Sequence, residues 1–326
     1  MKIFITGASG FIGSAIAKRL APDHFVLGMA RSDAASRKIQ SLGARPVACS
    51  LDTVDVSHLK HVDVVIHCAA NVKPWGRWEE YRLANVLGTQ KLLQVAQQAG
   101  VKRFIHMSTE SVLFHGQDMD DVDESYPYPA HSPFFYSESK KQAEQLVLMA
   151  NAPGRFETLA LRPRWVWGPG DTTILRNLCD MVDRGKFKWI GGGGALTSTC
   201  HIDNLVHAVV LALASGKGGN AYFITDWEVH TVRDFVSSML RTQGRFPGDS
   251  NLPTGLVKMA AWVLESTYRL FGWRKKPLVT RFSAAIMSCN FTVASDKAQQ
   301  DLGYKPVVTV EEGMQGLMNA NLSGVG

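Results

Sequence analysis

The sequence has no Cys-x-x-Cys pair, no polybasic run, no internal repeat and no low-complexity tract. It also lacks any apolar stretch approaching the 18 or more residues that a bilayer-spanning helix requires; the longest candidate, Met259 to Leu264, is stopped by Glu265. Five cysteines, Cys49, Cys68, Cys179, Cys200 and Cys289, are odd in number and widely spaced, which argues against a disulfide framework or a zinc site and makes a reducing cytosol the natural compartment. The apolar N-terminal run, with Ala15-Ile16-Ala17 as a small-residue site, resembles a secretory signal only until Thr6, Gly7, Ser9 and Gly10 are seen to interrupt it. A soluble, cytoplasmic or at most peripherally membrane-associated protein is expected. Basic residues exceed acidic ones by only 35 to 29, a formal charge of +6, which suits an anionic ligand but is too weak and dispersed for nucleic acid. His67 ends an apolar run too far along the chain from another ligand type to suggest a metal.

What is present is a globular composition, 45% hydrophobic with 29 glycines in 326 residues, enough for one large or two joined domains. Short apolar runs alternate with stretches of helical spacing: Ile3–Ile5 then Phe11–Leu20, Val26–Met29 then Ser36–Leu42, Pro46–Ala48, Val62–His67 then Tyr81–Ala99, Phe104–Met107, Phe134–Ala150 and Thr158–Leu161. That alternation predicts an α/β fold, a doubly wound parallel sheet of Rossmann type. Residues 1–162 are expected to form a dinucleotide-binding domain, with 200–225 returning to it, and 163–199 with 226–326 a smaller C-terminal substrate domain.

The string TGASGFIG lies where the first strand turns into the first helix. Glycines there allow a tight turn and close backbone approach to a pyrophosphate, while the free amides of the helix N-terminus carry partial positive charge. Gly7, Ser9, Gly10, Phe11, Ile12 and Gly13 are therefore candidate cofactor contacts. The second strand ends in Met29-Ala30-Arg31-Ser32, with no acidic residue where the ribose hydroxyls of NAD want one. Arg31, with Ser32 or Arg37, suits the extra phosphate of NADP, so NADP(H) is favoured over NAD(H). Asp52, after the third strand, either holds the adenine edge or is an ordinary loop carboxylate.

Tyr136 and Lys140 stand four residues apart on one helix face. A phenol is a poor base at neutral pH, but a neighbouring ammonium and an oxidised nicotinamide both favour phenolate, so Tyr136 is read as the group that exchanges a proton with a substrate hydroxyl or carbonyl. Ser108 and Thr109 follow a strand end, where open α/β sheets bind ligands. Thr109 is favoured as the donor to the reacting oxygen with Ser108 capping backbone, although the two roles are interchangeable. Asn85 ties its helix to the active-site strand or makes a plain structural contact; it and Ala69 complete the set near the cofactor.

TGASGFIG, VIHCAA, NVLGT, MSTESV, YSESK, LRPRWVWGPGD, HIDN and LGYKP occur in the order and at the distances that resemble an extended short-chain dehydrogenase/reductase, and within it the 3β-hydroxysteroid dehydrogenase/isomerase-like group of the NAD-dependent epimerase/dehydratase superfamily. The resemblance spans nearly the whole chain. It implies Thr109, Tyr136 and Lys140 as catalytic residues, Lys140 on the nicotinamide ribose, Pro163 against the nicotinamide, and a homodimer through a helix bundle. Dehydratases of the superfamily follow the threonine with aspartate and glutamate; Glu110 and Ser111 occupy those places here, so dehydration is not expected. Pro74–Trp78 with Trp165, Trp167 and Trp189 resemble members acting on sterols or on 2-alkyl-3-oxoalkanoates, both bulky and apolar, though tryptophans equally serve packing.

The expected function is hydride transfer between nicotinamide and a secondary alcohol or ketone of a bulky apolar small molecule, as in lipid or steroid metabolism. The alternatives are a sugar-nucleotide epimerase that retains NAD and a sensor that binds dinucleotide without chemistry. Residues 252–273, rich in large apolar side chains and followed by Arg274-Lys275-Lys276, form either an interfacial helix touching membrane or an amphipathic helix packed on the small domain.

Overall fold

A computed structural model describes residues 1–171, 174–273 and 275–322 of the chain. The first half runs β1 (Lys2–Thr6), α1 (Phe11–Leu20), β2 (Phe25–Ala30), α2 (Asp33–Ser41), β3 (Arg45–Ala48), β4 (Val64–His67), α3 (Trp78–Tyr81), α4 (Gly88–Gln98), β5 (Arg103–Met107), β6 (Met119–Val122), α5 (Phe135–Met149) and β7 (Glu157–Pro163). The second runs β8 (Val166–Trp167), α6 (Ile174–Asp183), β9 (Trp189–Ile190), β10 (Leu196–Ser198), β11 (Cys200–His201), α7 (Ile202–Ser215), β12 (Ala221–Ile224), β13 (Val229–Thr231) and α8 (Val232–Thr242). It ends with β14 (Asn251–Leu252), α9 (Thr254–Leu270), α10 (Arg281–Ile286), β15 (Phe291–Val293), α11 (Asp296–Leu302) and α12 (Val310–Leu322).

The large sheet has seven strands in the order β12-β7-β5-β4-β1-β2-β3, every pairing parallel. Its strands read as near-continuous apolar runs because both faces are covered. Ile3, Ile5, Ile66, Ile105 and Leu161 face a cluster built with α1 and α7, while Phe4, Val65 and Phe104 face another built with α4 and α5. The chain reverses direction across the sheet between β1 and β4, and the crevice outside the strand ends at such a point is where open α/β sheets bind ligands. A second sheet, β13-β10-β15-β6, takes β6 from the first half of the chain and its other strands from the second.

The single helix expected over Tyr81–Ala99 is broken. Between α3 and α4 the chain makes a wider π turn over Arg82–Leu87, and the Thr89 hydroxyl donates to the Asn85 carbonyl at 2.6 Å. Apolar spacing alone does not reveal that insertion, which packs against α5 (Phe135–Met149).

α5 is held to β7 by a buried ion pair. Arg162 Nη2 donates to Glu144 Oε1 at 2.7 Å and its Nε lies 3.1 Å from both carboxylate oxygens; the Tyr128 hydroxyl donates to the same carboxylate at 2.5 Å. Arg162 and Glu144 are both buried, with Arg162 stacked over the rings of Tyr128 and Phe223. Removing one partner strands the other charge in the interior. Glu144→Gln or Arg162→Met should therefore lower stability by about 3–5 kcal/mol in chemical denaturation, far above a surface pair; a loss under about 1 kcal/mol would contradict this role.

Candidate active site

The ends of the parallel strands gather the candidate residues into one crevice. After β1, Gly7 adopts φ +68°, where a side chain is strained, and a Cβ there would stand 2.9 Å from the Ala69 amide nitrogen. A Cβ on Gly13 would meet the Gly7 carbonyl oxygen at 2.2 Å, so only glycine lets α1 close onto the turn. The N-cap of α1, Gly10, supplies no side-chain hydrogen bond, and the first turn carries no acid. The amides of Phe11, Ile12 and Gly13 thus remain available to an anion. Turn, backbone approach and helix end fit the pyrophosphate of a dinucleotide.

At the end of β2, Arg31 is exposed and makes no hydrogen bond or ion pair among the described residues. Ser32 caps α2, accepting from the Ala35 amide at 3.3 Å. The Asp52 carbonyl accepts from Lys91, leaving its carboxylate exposed. Ala69 follows β4, where its amide donates to Thr6 Oγ1 at 3.1 Å. Pro163 is buried at the end of β7, paired with Ile224 of β12.

A buried polar chain connects the glycine turn to α5, the helix that carries Tyr136 and Lys140. Thr89 gives its hydroxyl hydrogen to Asn85, so at 2.9 Å it must accept from His67 Nε2, and His67 Nδ1 then accepts from Thr6 Oγ1 at 2.7 Å. Asn85 Nδ2 donates to Ser139 Oγ at 2.9 Å, and Ser139 donates to the Tyr136 carbonyl at 2.9 Å. Asn85 Oδ1 also accepts from the Asn71 amide at 2.6 Å. The Asn85 side chain is thereby spent on the protein and acts as a tie. Sequence reasoning dismissed His67 as a metal ligand without finding this role; its place at a buried strand end was the available signal.

Lys140, buried on α5, donates to the Met107 carbonyl at 2.7 Å and to His106 Nε2 at 3.1 Å. An ammonium has three N–H bonds, so one remains for a ligand. Burial pulls its pKa down to about 8, against the opposing charges of Glu144 and Cys68. Burial also pulls His67 down to about 3 and His106 well below its usual value, each assisted by the Lys140 ammonium.

Tyr136 behaves differently from the expectation drawn from its neighbour four residues on. Burial pushes its phenol well above the ordinary range, the Glu110 carboxylate pushes the same way, and a hydrogen bond with Thr109 opposes them. Lys140, turned toward Met107 and His106, is not what sets this phenol in the protein alone. Thr109 Oγ1 donates to Glu110 Oε2 at 2.6 Å and accepts from the Ser111 amide at 3.3 Å. Arg164 Nη1 donates to Glu110 Oε1 at 3.1 Å. The next residue, Trp165, has φ +42°, uncommon for so bulky a side chain and a mark of local strain at the site. The sequence reading named Glu110 only as a departure from the dehydratase pattern, and Arg164 only within a motif.

Beside Tyr136 a small hollow lined by Trp75, Phe134, Phe135, Arg269 and Phe282 adjoins a cavity of about 600 Å3 walled by Trp75, Trp78, Phe135, Tyr268 and Trp273. Trp167 and Trp189 do not line it. Both are buried in the core against α8, with indole nitrogens donating to Asp226 at 2.8 Å and to the Gly248 carbonyl at 2.9 Å.

Fold, glycine turn and Thr-Tyr-Lys grouping define a short-chain dehydrogenase/reductase, and residues 4–254 match the 3-beta hydroxysteroid dehydrogenase/isomerase family, to which the chain belongs. It is an NAD(P)-dependent oxidoreductase acting on CH–OH groups. It is 37% identical, over 100% of its length and 98% of the relative's, to the 4-hydroxy-2-methyl-3-oxo-4-farnesyl-3,4-dihydroquinoline-1-oxide ketoreductase of Stigmatella aurantiaca. Identity to the 2-alkyl-3-oxoalkanoate reductase of Shewanella oneidensis is 34%, over 96% of this chain and 84% of that one. Among solved structures, MoeE5 in complex with UDP-glucuronic acid and NAD superposes with a TM-score of 0.76 at 25% identity, covering 99% of this chain and 100% of that one.

The neutral buried imidazoles give a pH signature. Unfolded histidines titrate near the usual 6.5, whereas in the fold His67 and His106 stay neutral to much lower pH, so the unfolded state binds more protons and stability falls as pH drops below 6.5. Between about pH 6.5 and 5, above the carboxylate range, the loss should approach about 1.4 kcal/mol per pH unit for each ring. Urea midpoints across that window measure it; a flat profile would show that the rings are not held neutral.

Proposed function

We propose that this protein is an NADP(H)-dependent oxidoreductase exchanging hydride with the ketone or secondary-alcohol carbon of a bulky apolar substrate of the 2-alkyl-3-oxoalkanoate or sterol type. The observation that carries the reading is the aromatic-walled cavity of about 600 Å3 adjoining the hollow of Tyr136. Its aromatic rings suit the apolar body of a large ligand, and the Lys73, Arg77, Glu80, Arg269 and Lys276 side chains that share the lining suit a polar end. Two reductases whose names state oxo substrates are among the curated relatives. Residues 1–162 with 200–225 would carry the cofactor, and 163–199 with 226–326 the substrate, with Trp75, Trp78 and Phe135 lent from the first segment.

The cofactor, when bound, supplies or accepts the hydride. The chain's own residues do the rest. Gly7, Ser9, Gly10, Phe11, Ile12 and Gly13 hold the pyrophosphate, Arg31 the 2′-phosphate, Asp52 and Ala69 border the adenosine half, and Lys140 with Pro163 positions the nicotinamide ribose and ring. Asn85 fixes the helix that carries Tyr136. Tyr136 gives its proton to the carbonyl oxygen in reduction and takes it from the hydroxyl in oxidation, with Thr109 orienting that oxygen.

Protein purified without added nucleotide should arrive empty, bind NADPH more tightly than NADH, and turn over apolar ketones. Arg31→Ala should weaken NADPH roughly ten-fold or more, the scale of one charge-assisted contact, and NADH little. Tyr136→Phe should abolish turnover and leave NADPH affinity within about two-fold. Equal weakening of both nucleotides refutes the 2′-phosphate assignment, and stoichiometric, non-exchanging NAD would favour an epimerase.

The reading includes delivery from a membrane surface. No helix among the described residues is long and apolar enough to cross a membrane. α9 packs through Val257, Ala261 and Glu265, yet leaves Leu256, Met259, Trp262 and Val263 exposed, and Leu270, Phe271, Trp273 and Leu278 continue that surface. Lys258, Lys275 and Lys276 are exposed around it; Arg274 lies outside the described residues. Apolar and aromatic side chains ringed by lysines match an anionic bilayer, and Trp273 and Lys276 also line the cavity. Phosphatidylcholine vesicles containing phosphatidylglycerol should co-sediment the protein, and Trp262→Glu with Phe271→Glu should reduce this at least five-fold; unchanged sedimentation refutes the surface.

A further inference from the structure

Arg269 stands where the two spaces of the site meet. Among the described residues it is the one charged side chain that lines both the hollow beside Tyr136 and the larger aromatic-walled cavity. It comes from the last turn of α9, and neither the proton transfer nor the cofactor contacts use it. Its guanidinium carbon lies 4.3 Å from the centre of the Phe135 ring and 5.7 Å from that of Trp75. Held over two rings, the planar fork keeps its N–H edges for other partners.

Of the N–H groups on that fork the protein engages one. Nη2 donates to Glu265 Oε2 at 3.5 Å, the outer limit of a hydrogen bond, and no other protein acceptor meets the guanidinium among the described residues. Glu265 is the buried half of the pair. It is 5% exposed and its Oε1 accepts from the Arg281 amide at 2.7 Å, whereas the Arg269 side chain is 43% exposed. The carboxylate is drawn back into the protein, and the cation is presented to the space.

The rest of the wall has the same sign. Lys73, Arg77, Arg269 and Lys276 outnumber Glu80 and Glu265, and no hydrogen bond or ion pair engages the side chains of Lys73, Arg77 or Lys276 among the described residues. A cleft lined by one sign of charge draws a ligand of the other. Size narrows the class. The hollow measures about 20 Å3, room for roughly one or two water-sized groups, so whatever reaches Tyr136 lies within a few bonds of whatever meets Arg269. A planar carboxylate fits such a space and matches the fork through two parallel hydrogen bonds; a diphosphate is too large.

We propose that Arg269 is the specificity-determining residue of this site, binding a carboxylate borne on the carbon next to the reacting carbonyl. The substrate is then a long-chain oxo acid, and neutral ketones are disfavoured. Which atom reacts rests on the oxidoreductase reading above. The charge of the ligand and its contact with Arg269 do not.

The probes are the 2-alkyl-3-hydroxy acid carrying octyl and nonyl chains and its methyl ester, close in apolar surface and different in charge, each used below its micelle concentration. Calorimetric titration of the full chain in excess NADP+ should give a Kd at least ten-fold lower for the acid, the scale of one charge-assisted contact. Arg269→Met should bring the two Kd values within about two-fold of each other, and Arg269→Gln serves the same comparison if that variant does not fold. A residue that only packs the wall would weaken both ligands together and leave their ratio at the wild-type value; that result, or a wild-type ratio near one, overturns the proposal. Vesicles of phosphatidylcholine with phosphatidylglycerol separate a substrate contact from a lipid headgroup contact. Arg269→Met should co-sediment with them within two-fold of wild type, and a loss parallel to that of the acid assigns the cation to the bilayer and overturns the proposal. An acid preference that depends on Arg269, with neither probe oxidised by NADP+, leaves the Arg269 assignment standing and overturns the oxidoreductase reading. Oxidation of the ester with no preference for the acid does the reverse.

Discussion

The buried contact between Arg162 and Glu144 is the constraint on which the site's geometry depends. Arg162 lies on β7 one residue before Pro163 and two before Arg164, while Glu144 lies on α5 one turn beyond Lys140 and two beyond Tyr136. A pair desolvated to this degree gains little net stability, because stripping water from both charges offsets most of their attraction. What it supplies is position. The forked guanidinium meets the carboxylate through two nitrogens, with the Tyr128 hydroxyl on the same oxygen, and this geometry permits one registry of helix against strand.

A second constraint runs across the sheet. The hydrogen bonds from Thr6 through His67, Thr89, Asn85 and Ser139 to the Tyr136 carbonyl join β1, β4, the π turn and α5. Each hydroxyl in it has one hydrogen to give, so the direction of every bond follows from the last. In an apolar interior such a chain is costly to leave half-made and rigid when complete. It makes the glycine turn and α5 parts of one body, which the proposed hydride transfer would demand of the groups that hold a cofactor and donate a proton.

Within this frame the charges are arranged asymmetrically. The ammonium of Lys140 is buried and faces backbone and imidazole, and its effect falls on His67 and His106. The carboxylate of Glu110 falls on Tyr136. A tyrosine and a lysine one helical turn apart therefore do not by themselves form a lowered phenol; the orientation of the lysine head and the neighbours from other elements decide the sign.

The sequence alone determined the parallel α/β class, the glycine turn and its contact with α1, the Thr-Tyr-Lys grouping and Arg31 at the end of β2, because these are carried by local spacing, by steric demands within a few residues and by position along an alternating pattern. It left open the packing of Trp167 and Trp189, the break in the helix after Tyr81, the tie made by Asn85 and the pairing of Glu110 with Arg164. Glu110 and Arg164 are far apart in the chain and meet only where β5 and β7 lie side by side; Trp189 and Trp75 look alike as residues and differ only in which surface closes over them. Burial, partner and electrostatic sign belong to pairs of distant elements, so the tertiary structure alone decided them.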